Sequence, residues 1–147
     1  SGRRNTAYST KNPIETDENG QSYYNLGFAI KPIIHWRLKW NYWLTVHNNS
    51  SYPAYNVKID FISGQQFTNL TKLDKINNLQ PGGNFRLDAR YESYIESTSV
   101  EADEILSPRI PKALNGLCLQ ITYLDERRKN HITIITIDGQ EVINIKK

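Results

Sequence analysis

The sequence predicts an all-β protein, an antiparallel sandwich of about seven or eight strands with one short helix. Three observations carry that prediction. Apolar and polar residues alternate with a period of two over positions 36–46, 57–61, 84–95 and 117–123. Clusters of turn-forming residues separate these runs. One face of most runs is polar, which is the habit of antiparallel sheets covered on one side only.

The rest of the chain is organised around positions 36–61, WRLKWNYWLTVHNNSSYPAYNVKIDF. Trp36, Leu38, Trp40, Tyr42, Leu44 and Val46 occupy one face of a strand. Arg37, Lys39, Asn41, Trp43, Thr45 and His47 occupy the other. Helical spacing would scatter the apolar set all round. At roughly 3.3 Å per residue the strand spans about 36 Å, long enough that a bend or bulge is expected. Asn48 to Pro53 form a turn cluster, and Pro53, which cannot donate to a ladder, belongs at a strand start or an edge. Val57, Ile59 and Phe61 then alternate with Lys58 and Asp60.

The segment NNSSYPAYNV, Asn48 to Val57, resembles a pattern of bacterial immunoglobulin-like domains: a strand, Asn, a small-residue turn, a Pro-Ala pair, Asn-Val and a second strand. Leu79-Gln80-Pro81-Gly82-Gly83 resembles the leucine, proline and glycine turn that follows in such domains. Those families often carry Gly in the first turn, where this chain has Ser50 and Ser51. The resemblance implies an immunoglobulin-like sandwich used as a spacer or interaction module in a cell-surface or membrane-anchored bacterial protein.

Composition sets the bounds. The 147 residues suit one domain, able to bury about 70% of its unfolded surface. The 18 basic and 15 acidic residues nearly balance, for a net charge of +3. A nucleic-acid partner would call for a concentrated basic stripe, so nucleic acid is not expected. Met is absent, and Ser1-Gly2 looks like a cleavage scar, so the chain reads as a soluble fragment of a longer protein. No apolar run approaches the ~20 residues that cross a bilayer; membrane association is expected only through a segment outside this chain. Cys118 is alone, so the fold rests on its core and not on an internal disulfide. A packed Cys118 is preferred to a nucleophile.

Positions 1–22 are polar and turn-rich and read as a flexible or surface-tied linker, with the sandwich domain over 23–147. Arg3 and Arg4 fit a solvated linker better than a site beside a membrane span. Positions 23–34 suggest an interrupted strand, weakened by Gly27 and Pro32. Phe67, Leu70, Leu73, Ile76 and Leu79 recur every third residue, as in a helical turn or a loop that lays apolar residues on the core. Asn48, Asn49 and Asn69 match glycosylation acceptors, matches that arise easily in an Asn-rich chain. Phe85, Leu87, Ala89 and Tyr91 face in, against Arg86, Asp88, Arg90 and Glu92. Thr98-Ser99-Val100-Glu101 fits a capping box and predicts a short helix to about Leu106, ended by Pro108 and Pro111. Leu117, Leu119, Ile121 and Tyr123 mark the next strand. DERRKN at 125–130 is a charged hairpin loop, and 131–137 is apolar on both faces, as in a central strand. Asp138-Gly139 signals a hairpin into a closing strand.

No motif here carries chemistry. His35, His47 and His131 are scattered without Cys or carboxylate companions at metal-ligand spacing, so no metal and no cofactor are expected. There is no Gly-x-Ser-x-Gly elbow, Ser-x-x-Lys or His-Glu-x-x-His, and Gly82-Gly83 lacks the Lys-Ser/Thr of a phosphate loop. Asp103 and Glu104 read as surface charge and not as an acid–base dyad. An enzyme is therefore not expected. The first expectation is a non-catalytic interaction or spacer module with a protein partner. The alternative is a small-ligand sensor for a nucleotide-like molecule, with Arg37, Lys39 and Trp43 as a basic-aromatic site. That alternative requires a concave surface holding all three side chains; the preferred reading of Trp43 is that the sheet twists and a helix or loop covers it.

Overall fold

A computed structural model describes residues 1–9, 14–24, 32–73 and 77–147. In chain order the elements are β1 (Gly2–Tyr8), β2 (Ile14–Thr16), β3 (Ser22–Tyr24), β4 (Ile34–His47), β5 (Tyr55–Ser63), β6 (Asn69–Leu70), β7 (Asn84–Ser97), α1 (Ser99–Leu106), β8 (Cys118–Leu124), β9 (Asn130–Asp138) and β10 (Glu141–Lys146). The expected all-β sandwich forms: two four-stranded antiparallel sheets, a small hairpin and one short helix. Among the described residues no helix is long and apolar enough to cross a membrane.

The chain divides into two compact units, Ser1–Trp40 with Glu92–Arg109, and Asn41–Tyr91 with Ile110–Lys147. The long strands β4 and β7 contribute to both.

In the first unit the strand order is β1–β4–β7, and β2 pairs with β3 in a separate hairpin. Residues 2–8, expected to belong to a linker, form an edge strand antiparallel to β4, with Gly2 opposite Lys39 and Tyr8 opposite Ile34. Polar composition concealed this, because an edge strand buries almost nothing and is held by main-chain bonds. The irregularity expected of the long strand falls on its partner: the register of β1 shifts between Asn5 and Ala7. Arg3 is not free in solvent. Its Nε lies 2.6 Å from Asp103 Oδ1, and its guanidinium sits 4.4 Å from the ring centroid of Trp36. One side chain thus ties β1 to α1 and caps the buried row of β4. Trp36 donates its indole N–H to the Ser97 carbonyl at 3.2 Å. The Ser9 hydroxyl donates to the Glu96 carboxylate. Helix α1 begins where the capping box predicts: Thr98 Oγ1 accepts from the Glu101 N–H while Glu101 Oε1 accepts from the Thr98 N–H.

In the second unit β4–β7–β6 faces a sheet of order β10–β9–β8–β5. Alternation decides what points inward. Ala54, Val57, Leu79 and Ile121 form the buried cluster, and Val46, Ile59, Phe85, Tyr123 and Ile135 pack on it. Of the apolar residues spaced by three over 67–79, Leu70 falls in the two-residue strand β6 and Leu79 makes an isolated bridge to Ala54; residues 74–76, Ile76 among them, lie outside the described residues. So does the stretch from Asn25 to Lys31 in the first unit. The last hairpin turns at Gly139–Gln140, since Asp138 pairs with Glu141. Gly139 has φ +61°, the positive angle that a two-residue hairpin turn needs at its first position. Gln140 then stands in for a strand: its Nε2 donates to Ile110 O at 2.7 Å and its Oε1 accepts from Ile110 N at 2.9 Å. Cys118 is half-buried and takes a weak contact from Thr136 Oγ1 at 3.8 Å.

Candidate interaction surface

Strand β4 carries all three residues singled out from the sequence, and its odd positions are the more accessible ones throughout. Arg37 and Lys39 fall in the first unit. Arg37 Nη2 approaches Glu92 Oε1 at 3.8 Å, and Lys39 is half-buried opposite Gly2 of β1. Trp43 falls in the second unit and is 70% exposed, so none of the described helices or loops covers it.

The cation beside Trp43 is Arg86. Its guanidinium lies 3.6 Å from the centroid of the indole ring. The contact follows from two alternations. Odd positions of β4 and even positions of β7 between 84 and 88 point outward, and β7 is the neighbour of β4. Arg86 therefore rises next to Trp43 on the same face. A guanidinium over an indole face is the strongest of the common cation–π pairings, worth about 0.5–1 kcal/mol at an exposed site. The pair presents a flat aromatic plate and a fixed positive charge. Arg86 was visible in the sequence only as one member of a mixed-charge strand face. Its selection depends on strand pairing, which no local signal reveals.

A second feature lies between the two sheets of the second unit. A cleft of about 720 Å³ runs along their inner faces. Leu44 and Val46 of β4, Leu119 and Ile121 of β8, Ile135 of β9 and Val142 of β10 line its apolar part. Trp43 and His47 from the odd positions of β4 also line it, with Asn144 and Lys146 of β10, and no Asp or Glu does. Neither Arg37 nor Lys39 contributes to it.

The three histidines have separate surroundings. His131 packs flat on Tyr123, with centroids 5.0 Å apart, and its Nε2 lies 2.9 Å from Asp125 Oδ2. The Asp125 carboxyl is held below the usual carboxylate range, first by that bond to His131 and next by the main-chain N–H of Lys129. His35 is half-buried on β4 and His47 is exposed. Among the described residues no three His, Cys, Asp or Glu side chains come together.

Compared with protein-family models, with curated proteins and with solved structures, the chain matches none.

Proposed function

We propose that this chain is a non-catalytic interaction module, an immunoglobulin-like sandwich that contacts a protein partner through the outward face around Trp43 and Arg86. One observation carries the reading: an indole 70% exposed, stacked by a guanidinium at 3.6 Å, on an open sheet face. Trp and Arg are the residue types that dominate interface hot spots, because each combines a large contact area with directional polar groups. Leaving an indole in water forgoes its burial, so its exposure is better explained by a contact made elsewhere than by the fold itself. The turn segments that resemble bacterial immunoglobulin-like domains support the same kind of module. On that resemblance the chain is the soluble part of a membrane-anchored bacterial protein.

The second reading is a sensor for a nucleotide-like ligand, with the base stacked on Trp43 and Arg86 near the phosphate. In this form Arg86 takes the place first given to Arg37 and Lys39.

Two measurements separate the readings. A photo-crosslinking residue at position 43, compared with one at position 58, tests for a protein contact in extracts of the source cells. One discrete product from position 43, competed by the unmodified chain and not by its Trp43→Ala variant, supports the module. Equal products from both positions count against it. Thermal unfolding against nucleotides, cyclic nucleotides and sugars tests the sensor. A ligand at a hundredfold excess over its Kd adds about 2.7 kcal/mol, a visible midpoint shift. A shift abolished by Trp43→Ala would replace the protein-contact reading with the sensor.

A further inference from the structure

We infer that the cleft between the two sheets binds an amphipathic anion, a single apolar chain ending in a carboxylate. Protein interiors are close-packed, with few voids larger than a water molecule. Against that standard a cleft of about 720 Å³ between two inner sheet faces is an unfilled core. The size lies within the ~300–1,000 Å³ of small-molecule sites, and apolar walls with few polar groups are their usual construction.

The cleft is open because of where the strands end laterally. Among the described residues β10 has β9 on one side and no strand on the other. Its inner-face residues are Val142, Asn144 and Lys146, and Val142 is 56% exposed although it points along the apolar walls. The other edge of this sheet is built differently. β5 carries register shifts at Tyr55/Lys58 and Phe61/Ser63 and a positive φ at Asn56, the devices that blunt an edge. The β10 side therefore gives a ligand access where the β5 side does not.

Charge selects the chemistry of the ligand. Lys146 and His47 border the cleft, and no carboxylate lines it. Among the described residues Lys146 has no ion-pair partner. An apolar chain along Leu119, Ile121 and Ile135 with its carboxylate at Lys146 satisfies both the walls and the rim. A cationic amphiphile of equal length satisfies the walls and is repelled at the rim. Trp43 also lines the cleft; the inference rests on the apolar walls and on Lys146, and Lys146→Glu tests it without altering Trp43 or Arg86, so either proposal can fail alone.

Isothermal titration with dodecanoate, below its micellar concentration, tests the site. One dodecanoate per chain is expected, with dodecyltrimethylammonium binding at least about tenfold more weakly. Lys146→Glu, an exposed substitution, is expected to weaken dodecanoate about tenfold and to leave the urea midpoint unchanged. Val142→Trp is expected to fill the mouth and abolish binding, again without loss of stability. Absence of binding heat overturns the inference. So does equal binding of the two amphiphiles with Lys146→Glu indifferent, which would mark nonspecific apolar adsorption. A ligand-free dimer in sedimentation that Val142→Trp dissociates would assign the cleft to a second copy of the chain and overturn it as well.

Discussion

The side-chain amide of Asn48 donates to the main-chain carbonyl of Leu79 at 2.9 Å, across 31 residues of sequence. The same nitrogen donates to Tyr52 O at 2.9 Å, and Asn48 Oδ1 accepts from the N–H and hydroxyl of Ser50. The main chain adds Asn48 N to Gly83 O at 3.0 Å and Gly82 N to Asn48 O at 2.9 Å. The turn after β4 and the turn before β7 are thus one hydrogen-bonded unit. Asn48 is the residue that binds the two turns together.

Asn48 is 8% exposed, so its bonds have no water to replace them. Asn48→Ala removes one of two donors from each carbonyl, Leu79 O keeping Ala54 N–H and Tyr52 O keeping the Ser50 hydroxyl, and takes the acceptor from Ser50 N–H, at a cost of about 2 kcal/mol. Asn48→Asp keeps the acceptor but sets a carboxylate against two carbonyl oxygens, and is expected to cost no less. Urea unfolding with an unchanged m-value checks both. A midpoint shift equivalent to under about 1 kcal/mol would show that the turn is held by its main-chain bonds alone. The same burial speaks against glycosylation at Asn48.

Gly64 and Gly139 both have positive φ, at +90° and +61°, yet substitution should separate them. A Cβ on Gly64 would sit 2.7 Å from Gly116 O and 2.8 Å from Leu117 Cα, both main-chain atoms of the segment that leads into β8. A Cβ on Gly139 meets nothing within 4 Å. Gly139→Ala is expected to cost about 1 kcal/mol from backbone strain alone, and Gly64→Ala about 3 kcal/mol or more. Equal thermal shifts for the two variants would contradict the close approach at Gly64.

Asp125 organises its loop by accepting from Arg127 N at 2.8 Å and Lys129 N at 3.0 Å while contacting His131. Its folded-state pKa is lowered, first by the His131 bond. A lowered carboxyl pKa stabilises the fold above the unfolded value and loses that contribution as pH falls through the folded value. The gap in stability between the native chain and Asp125→Asn should therefore be steady near pH 5 and shrink below about pH 4. Urea midpoints at pH 3 and pH 5 read it directly. A gap as wide at pH 3 as at pH 5 would contradict the ionised carboxylate as its source.

The three tryptophans should respond in opposite ways to quenching and to truncation. Trp36 and Trp40 are 6% and 2% exposed, while Trp43 is 70% exposed. Acrylamide should quench one emission component strongly, and Trp43→Phe should remove that component. Trp43→Ala should change stability by no more than about 1 kcal/mol, against about 4 kcal/mol for Trp40→Ala. Strong destabilisation by Trp43→Ala would mean that the indole serves the fold and would weaken its assignment to a partner.

Much of the architecture was legible because its causes are local. A period of two at Trp36, Leu38 and Trp40 needs no knowledge of partners to place those side chains on one face. Thr98 and Glu101 lie within one helical turn, so their reciprocal cap can be read from four consecutive residues. The candidate site was legible only in part. Trp43 was recognisable as the aromatic on a polar face, but its cation was sought along the same strand, at Arg37 and Lys39. In the structure Arg37 lies near Glu92, and Arg86 stacks on the indole.

By itself the amino-acid sequence determined which residues face inward, where the helix begins and which segments turn. It also determined that Trp43 stands on an otherwise polar face. Tertiary structure alone decided that residues 2–8 add a strand, that Arg3 joins Asp103 and Trp36, that Arg86 meets Trp43, and that Asn48 reaches Leu79. It alone decided that the sheets enclose a cleft with Lys146 at its rim. The physical reason is the range of the interactions. Alternation and capping act between residues a few positions apart, where geometry follows from backbone dihedrals. Strand pairing and packing join residues tens of positions apart, and their register is chosen by how all the inner faces fit at once.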